Sequence, residues 1–174
     1  MTAGIRTQNL FTVRVHNASY EQLLTAARAA AEEPHPSFTT YSHFNVLLDA
    51  RRQPWLRALL NRAALNIGDG IAVRLALHAR GTGRPAPVNA TDFHHALLDD
   101  CLRSGKRVFL LGGSAAAAAV LPEQLRARFP GCMVESHHGQ IGIHDVAALE
   151  AVRTFAPDVL FLGMGSPLQF EWIE

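Results

Sequence analysis

Short apolar runs alternate along the chain with longer segments whose apolar residues recur at helical spacing. The runs predict strands at 10–16, 37–41, 65–67, 107–111, 132–135 and 158–163. The segments between them predict helices at 20–31, 45–52, 54–64, 71–79, 92–104, 115–128 and 145–155, with a loop at 81–87. Strands alternating with helices of this length are typical of an α/β fold with a mainly parallel sheet and helices on both faces.

The last predicted strand, Asp158–Gly163, is the most apolar, with no polar residue between Val159 and Leu162. Such a run is typical of a parallel strand that is covered on both faces. It leads into Gly163-Met164-Gly165-Ser166-Pro167, after which a short helix is predicted. Glycines at this place let a ligand approach the backbone, and a helix start offers free N–H groups to an anion.

Four polar or glycine-rich loops follow predicted strands. They are Thr40-Tyr41-Ser42, Gly68-Asp69-Gly70, Gly112-Gly113-Ser114 and Gly165-Ser166-Pro167-Leu168-Gln169. Ligands of open parallel sheets bind beyond the carboxyl ends of the strands. If the strands are parallel, we expect all four loops at one edge, where they would form the binding site.

Composition narrows the class of protein. The 174 residues are 48% hydrophobic and 18% charged, which predicts one globular domain, 1–174. The net charge of +1 gives no indication of a nucleic-acid partner. Neither an export signal nor a membrane-length apolar run is present, and Cys101 and Cys132 lack CxxC spacing. We therefore expect a cytoplasmic protein without a disulfide.

Asp69 is the candidate catalytic residue, because a carboxylate between two glycines after a strand is accessible to a substrate and can act as a general base. The alternative is a turn aspartate that hydrogen-bonds its own backbone. Gly112-Gly113-Ser114 is either a phosphate or ribose cradle or a simple tight turn. Gln169 at a helix start suits sugar hydroxyls or a diphosphate, or else faces solvent.

The histidine pairs His94-His95 and His137-His138 lack the spacing of a metal site, since no HxxxH or HExxH is present. The first pair is interpreted as ordinary helix residues. The second precedes Gly139 in a predicted turn, and one of its two histidines is a candidate to line the site.

Taken together, these loops resemble the bacterial WecG/TagA/CpsF glycosyltransferase family over most of the chain, from about Leu10 to Glu174. The matching pieces are Thr40 and the stretches LNIGDGI (65–71), VNATDF (88–93), RVFLLGG (107–113), HHG (137–139) and GMGSPLQFEWI (163–173). Each piece is short, but their order and spacing are fairly specific.

The resemblance implies a Rossmann-like fold and an inverting, metal-independent transfer of an N-acetylhexosamine-type sugar. The donor would be a UDP-sugar and the acceptor a polyprenyl-diphosphate-linked sugar, in cell-surface polysaccharide synthesis. Asp69 matches the family's proposed base, and Thr40 and Gln169 match positions lining the sugar-nucleotide pocket. The substrate-binding residues expected on this basis are Thr40, Ser42, Gly112, Gly113, His138, Gly165, Ser166 and Gln169.

The chain departs from the family pattern in several places. The family usually has asparagine at Ser42, glycine at Ala90 and glutamate at Phe170, so one pocket hydrogen bond is expected to differ. Family members also continue into a C-terminal appendage that is similar to a membrane-targeting, arginine-bearing lid. Because the chain ends at Glu174 without it, we expect weak or no activity of these 174 residues.

The missing C-terminal appendage also changes which partners we expect. Peripheral contact with the inner face of the cell membrane is expected only where the appendage is present. Its loss would leave an apolar patch that favours a homo-oligomer.

Two other functions stay open on the sequence alone. One is a nucleotide-sugar-binding domain without catalysis, although such a domain has little need of a carboxylate at Asp69. The other is an NAD(P)-dependent oxidoreductase, against which stands the missing glycine fingerprint with its acidic residue about 20 positions on.

Overall fold

The structure, a computed structural model, describes residues 5–80 and 88–174, so the predicted loop at 81–87 lies outside the described residues. The chain divides into two compact units, Met1–Leu97 and Leu98–Glu174. Each unit contains a sheet flanked by helices, and most strand pairs are parallel. The predicted α/β, Rossmann-like class is therefore confirmed, with the strands divided between two sheets.

The first unit contains a four-stranded sheet. Its elements are β1 (Arg6–Leu10), β2 (Val13–Asn17), α1 (Tyr20–Ala30), β3 (Thr39–Ser42), α2 (Phe44–Arg52), α3 (Pro54–Arg62), β4 (Leu65–Gly68), α4 (Ile71–Ala79) and the first part of α5 (Ala90–Arg103). The strand order is β1-β2-β4-β3. β2 and β3 run parallel to β4, whereas β1 pairs antiparallel with β2.

The single strand predicted at 10–16 is wrong, because a hairpin turn interrupts it. Phe11 and Thr12 both adopt positive φ, 49° and 70°, and connect β1 to β2. Two-residue hairpin turns of this hand usually contain asparagine or glycine. The Asn61 side chain holds the turn by accepting from Arg14 N–H and donating to Thr12 O. Because phenylalanine and threonine are not typical of such turns, the sequence pattern predicts one continuous strand here.

The core on one side of this sheet is built from α1, β4 and the start of α5. Leu23, Leu24 and Ala27 of α1 pack with Leu65 and Ile67 of β4 and with Val88 and Phe93. A capping box begins α1: the Ser19 side chain accepts from Gln22 N–H, and the Gln22 side chain accepts from Ser19 N–H.

The second unit contains a three-stranded parallel sheet in the order β6-β5-β7. Its elements are the end of α5, β5 (Arg107–Gly112), α6 (Ala115–Arg128), β6 (Met133–His137), α7 (Val146–Phe155), β7 (Val159–Gly163) and α8 (Leu168–Ile173). α7 covers one face through Phe109, Leu111 and Ala148. α6 covers the other, where the Ser136 hydroxyl donates to Ala118 O.

Two predictions in this unit are wrong in detail. β6 extends to His137, which was expected in a turn. β7 is not covered on both faces, since Leu160 is 37% exposed and β7 lies at the edge of its sheet. An apolar run of four residues does not by itself distinguish a central strand from an edge strand.

Candidate active site

The loops after β3 and β4 lie at the same edge of the first unit's sheet. The two strands pair in register from Thr39 with Leu65 to Ser42 with Gly68. Directly beyond this last pair, the backbone N–H of Asp69 donates to Ser42 O at 3.1 Å. The structure thus places two of the predicted site residues, Ser42 and Asp69, side by side at the carboxyl ends of parallel strands.

Asp69 is partly exposed. Among residues 5–80 and 88–174, its carboxylate has no hydrogen bond or ion pair, so the alternative of a self-bonded turn aspartate gains no support. Gly70 follows with φ 84° and ψ 161° and begins α4. This conformation is accessible to glycine almost alone. The carboxylate is therefore presented on a bend that the following residue makes possible.

Gly68 is required by close packing, whereas Gly70 is required by its backbone conformation. A Cβ there would lie 2.8 Å from Cγ1 of Val73 and 3.2 Å from Cγ1 of Val15. The first turns of α4 thus pack directly against the end of β4. The Gly-Asp-Gly motif combines a close helix contact, an exposed carboxylate and a glycine-only bend.

Thr40 and Ser42 are both buried, and they lie on the face of the sheet that carries the Asn66 side chain. The Ser42 hydroxyl donates to Asn66 Oδ1 at 2.7 Å. Since a hydroxyl has one hydrogen to donate, Ser42 can only accept from a ligand while this bond is made.

Asn66 and His16 form a buried polar network that sequence reasoning missed. Asn66 is fully buried, and its Nδ2 donates to Arg14 O at 3.0 Å. The backbone N–H of Asn66 donates to His16 Nδ1 at 2.9 Å. The available signal was an asparagine between two apolar residues of a predicted strand, a position where a polar side chain needs partners.

Burial also changes the protonation of two groups near this edge. It lowers the pKa of His16, and the Asn66 carbonyl, 3.3 Å from Nδ1, partly offsets this lowering because it favours a protonated Nδ1. Burial raises the pKa of the Tyr41 hydroxyl, and the nearby Tyr20 and Asp69 add to this shift. Tyr41 is therefore a neutral neighbour of the Asp69 carboxylate.

Three glycines pack against one another where the strands of the second unit end. A Cβ on Gly112 would lie 2.6 Å from Gly163 O, and one on Gly139 would lie 2.8 Å from Gly112 Cα. The N–H of Gly139 donates to Gly113 O. The loops after β5, β6 and β7 therefore meet at one edge, as predicted for parallel strands.

Beyond this glycine cluster, two backbone turns lead into helices. Gly113 has φ 70°, and the Ser114 side chain then caps α6 by accepting from Ala117 N–H. Gly165 has φ 81°, and its carbonyl accepts from the N–H of Gln169. Ser166 is exposed and Gln169 is partly exposed. Gly113 and Ser114 place the N-terminus of a 14-residue helix at the sheet edge, a geometry compatible both with a phosphate cradle and with a simple tight turn.

His138 lies beside this cluster, next to Gly139. Its ring lies 4.4 Å from that of His137, and its Nδ1 is buried without a hydrogen-bond partner among the described residues. His94 of the other pair packs on Tyr41, with ring centroids 4.8 Å apart.

The described part of the chain contains neither a metal-binding cluster nor a membrane-length helix. Within residues 5–80 and 88–174, no group of three or more His, Cys, Asp or Glu side chains could hold a metal ion. Over the same residues, no helix is long and apolar enough to cross a membrane.

Comparison with known proteins decides the family. The family model described as "Glycosyl transferase WecG/TagA/CpsF family" matches residues 8–174. The chain belongs to this glycosyltransferase family. The resemblance inferred from the loop motifs is therefore confirmed.

Curated relatives of this WecG/TagA/CpsF protein occur in Staphylococcus aureus. Those of strains NCTC 8325 / PS 47, COL and MRSA252 are each 31% identical to it over 119 residues. Each carries the name N-acetylglucosaminyldiphosphoundecaprenol N-acetyl-beta-D-mannosaminyltransferase. The alignment covers 66% of this chain and 45% of each relative, so the chain matches less than half the length of these enzymes.

The predicted site residues thus fall into two groups, each within one unit. Thr40, Ser42 and Asp69 lie at the sheet edge of the first unit. Gly112, Gly113 and His138 lie at that of the second, with Gly165, Ser166 and Gln169 in the segment after β7. That both groups serve one substrate remains a prediction, as do their individual roles.

Proposed function

We propose that this chain is the catalytic core of an inverting glycosyltransferase. It would move an N-acetylhexosamine-type sugar from a UDP donor to a polyprenyl-diphosphate-linked sugar in cell-surface polysaccharide synthesis. Family membership supports the reaction class, and the S. aureus relatives are named for transfer to such an acceptor. The observation that carries the mechanism is the partly exposed carboxylate of Asp69, just beyond β4, which makes no hydrogen bond or ion pair with any described residue.

The chemistry follows from an in-line displacement. The acceptor hydroxyl oxygen attacks the anomeric carbon of the donor sugar while its proton passes to the Asp69 carboxylate. The bond from the anomeric carbon to the diphosphate oxygen breaks, and UDP leaves with the electron pair. Because attack and departure occur on opposite faces of the carbon, the anomeric configuration inverts.

The leaving diphosphate needs stabilisation as its charge develops. The start of α6, with Gly113 at positive φ and the Ser114 cap, offers free N–H groups and the positive end of a helix dipole. We assign Thr40 and Ser42 to binding of the sugar. We assign to binding of the UDP donor the residues Gly112, Gly113, His138, Gly165, Ser166 and Gln169. The proposed reaction uses no metal ion.

The proposed setting follows from the acceptor. A polyprenyl-linked sugar resides in a membrane, so the protein would work in the cytoplasm at the inner face of the cell membrane. Membrane contact would be peripheral and would come from a C-terminal appendage of the kind found in the family. Homo-oligomerisation belongs to the same proposal.

The first test is calorimetric titration of the chain with UDP, with and without EDTA, and with NAD in parallel. We expect UDP binding that EDTA does not change and no binding of NAD. Binding of NAD alone would contradict the proposal and favour an oxidoreductase.

The second test addresses the base. In a full-length version, Asp69→Asn should abolish transfer from a UDP-N-acetylhexosamine to N-acetylglucosaminyldiphosphoundecaprenol while UDP affinity stays within a few-fold. The matched control is Asp49→Asn, which removes another partly exposed carboxylate of the first unit, in α2. Unchanged turnover of Asp69→Asn would remove Asp69 from the mechanism.

A further inference from the structure

The two strands that flank β4 pair with it to different extents, since β3 and β4 share four registered residue pairs. β2 and β4 share one registered residue pair, His16 with Ile67. Side-chain bonds reinforce this short contact, because His16 Nδ1 accepts from Asn66 N–H and Asn66 Nδ2 donates to Arg14 O. Asn66 therefore adds two hydrogen bonds to the short contact between β4 and β2.

The same amide also reaches the strand on the other side. Asn66 Oδ1 accepts from the Ser42 hydroxyl at 2.7 Å, and Ser42 O in turn accepts from Asp69 N–H at 3.1 Å. Asn66 and Ser42 are both fully buried, so water does not compete for these bonds. A continuous path of hydrogen bonds thus runs from β2 through Asn66 and Ser42 to the backbone of Asp69.

We propose that Asn66 is a positioning residue for Asp69: its side-chain amide clamps β2 and β3 to β4 and so fixes the backbone that presents the carboxylate. This inference rests on the proposed function, since it assumes that Asp69 is the base. Asn66 itself does not touch substrate in this account. It acts through Ser42 and through the position of the strand end.

The physical reason is that general-base catalysis depends on the distance between the base and the hydroxyl it deprotonates. Asp69 lies one residue beyond β4, and the next residue, Gly70, is a bend without a side chain. The described residues provide no contact that holds the carboxylate itself. Its position therefore depends on the backbone, and the bond from Asp69 N–H to Ser42 O is a backbone contact that fixes this residue beyond the strand.

The chain offers a matched control in Asn61. Its amide also makes two bonds to the backbone of the hairpin, accepting from Arg14 N–H and donating to Thr12 O. These bonds lie at the start of β2, away from Asp69. Asn61→Ala therefore removes a similar number of hydrogen bonds from the same strand, one of them at Arg14, but leaves the bonds that join Asn66, Ser42 and Asp69.

The first readout is hydrogen exchange at the Asp69 amide, measured by NMR on the whole chain. Asn66→Ala should speed exchange at this amide by about tenfold or more, which corresponds to about 1.4 kcal/mol of lost protection. Asn61→Ala should leave it at the wild-type rate. Equal protection of the Asp69 amide in the two variants would overturn the proposal, whatever the substrate of the protein.

The second readout is steady-state kinetics of the transfer reaction below the melting temperature of both variants. Asn66→Ala should lower kcat by about 10- to 100-fold, since small displacements of a base cost this much, with donor KM nearly unchanged. Asn61→Ala should retain both constants. A kcat of Asn66→Ala equal to that of Asn61→Ala would also overturn the proposal.

A variant that does not fold and a protein that shows no transfer need separate treatment. If Asn66→Ala does not fold, Asn66→Ser replaces it, because its hydroxyl can keep one of the two bonds but not both, and the same exchange criterion applies. The kinetics are measured on a full-length version that includes the family's C-terminal part, and if that version shows no transfer at all, the proposed function fails. The exchange measurement then still decides whether Asn66 fixes the backbone of Asp69.

Discussion

Replacing Gly112 by alanine should distort the edge where the strands of the second unit end. The added Cβ would lie 2.6 Å from Gly163 O and 2.8 Å from both C and Cα of that residue. All three are backbone atoms of the neighbouring strand, so no side chain can rotate away. β5 and β7 would have to separate, and the ladder between them would stretch.

The opposite substitution is a matched control with nearly the same partners. A Cβ on Gly163 would meet its nearest neighbour, Gly112 Cα, at 3.9 Å, which is an ordinary van der Waals distance. Gly163 also has no positive φ that would disfavour alanine. Two glycines that face each other across one pair of strands should therefore respond in opposite ways.

The expected magnitudes follow from these distances. Overpacking against immobile atoms costs about 1–3 kcal/mol, and we expect Gly112→Ala at the upper end because the clash is with backbone. Gly163→Ala should change the free energy of unfolding by about 0.5 kcal/mol or less. The difference between the two variants should therefore be about 2 kcal/mol or more.

Urea denaturation followed by tryptophan fluorescence measures this difference. Trp172 packs in the core cluster of the second unit and donates its Nε1–H to Gly142 O. In a Trp55→Phe background, Trp172 is the remaining tryptophan and reports on that unit alone. Equal midpoints for Gly112→Ala and Gly163→Ala would refute the argument from close strand packing.

The remaining predictions concern the first unit. Because burial lowers the pKa of His16 below its ordinary value of 6.5, the neutral ring stabilises the fold above that pH and the stabilisation is lost on acidification below it. The melting temperature, measured by calorimetry, should therefore fall when the pH is lowered from 7.5 to 5.5. This fall should be smaller in His16→Gln. It should equal that of the wild type in His35→Gln, which replaces an exposed histidine. Gly70→Ala should cost about 1–3 kcal/mol through backbone strain, since among the described residues no atom beyond its chain neighbours lies within 4 Å of the added Cβ. Gly142→Ala, equally open but without positive φ, should cost far less in the same chemical denaturation assay.

Helices and their caps were the most predictable part of the fold, because their signals are local. Ser19 with Gln22, Pro54 at a helix start and Ser114 after a strand each act within one turn. The Gly-Asp-Gly motif was equally readable, since a glycine-only bend leaves a trace in the sequence. The role of Asp69 in the reaction is a different matter and remains a prediction.

The hairpin turn at Phe11 and Thr12 could not be predicted from local sequence preferences. Neither residue favours positive φ, so nothing in the sequence marks a turn there. The turn exists because Asn61, 49 residues from Thr12, bonds to the hairpin backbone. Contacts over such a distance outweigh the local preference of the two residues.

The sequence by itself determined the α/β class, most element positions and the loops that carry candidate chemistry, because periodicity, capping and glycine placement are local properties. Only the tertiary structure decided that the strands form two sheets, that Leu160 stays exposed at a sheet edge and that Gly112 tolerates no side chain. It also decided that Asn66 and His16 join three strands behind Asp69. These features depend on which residues meet across strands, and that pairing is settled by packing over the whole unit.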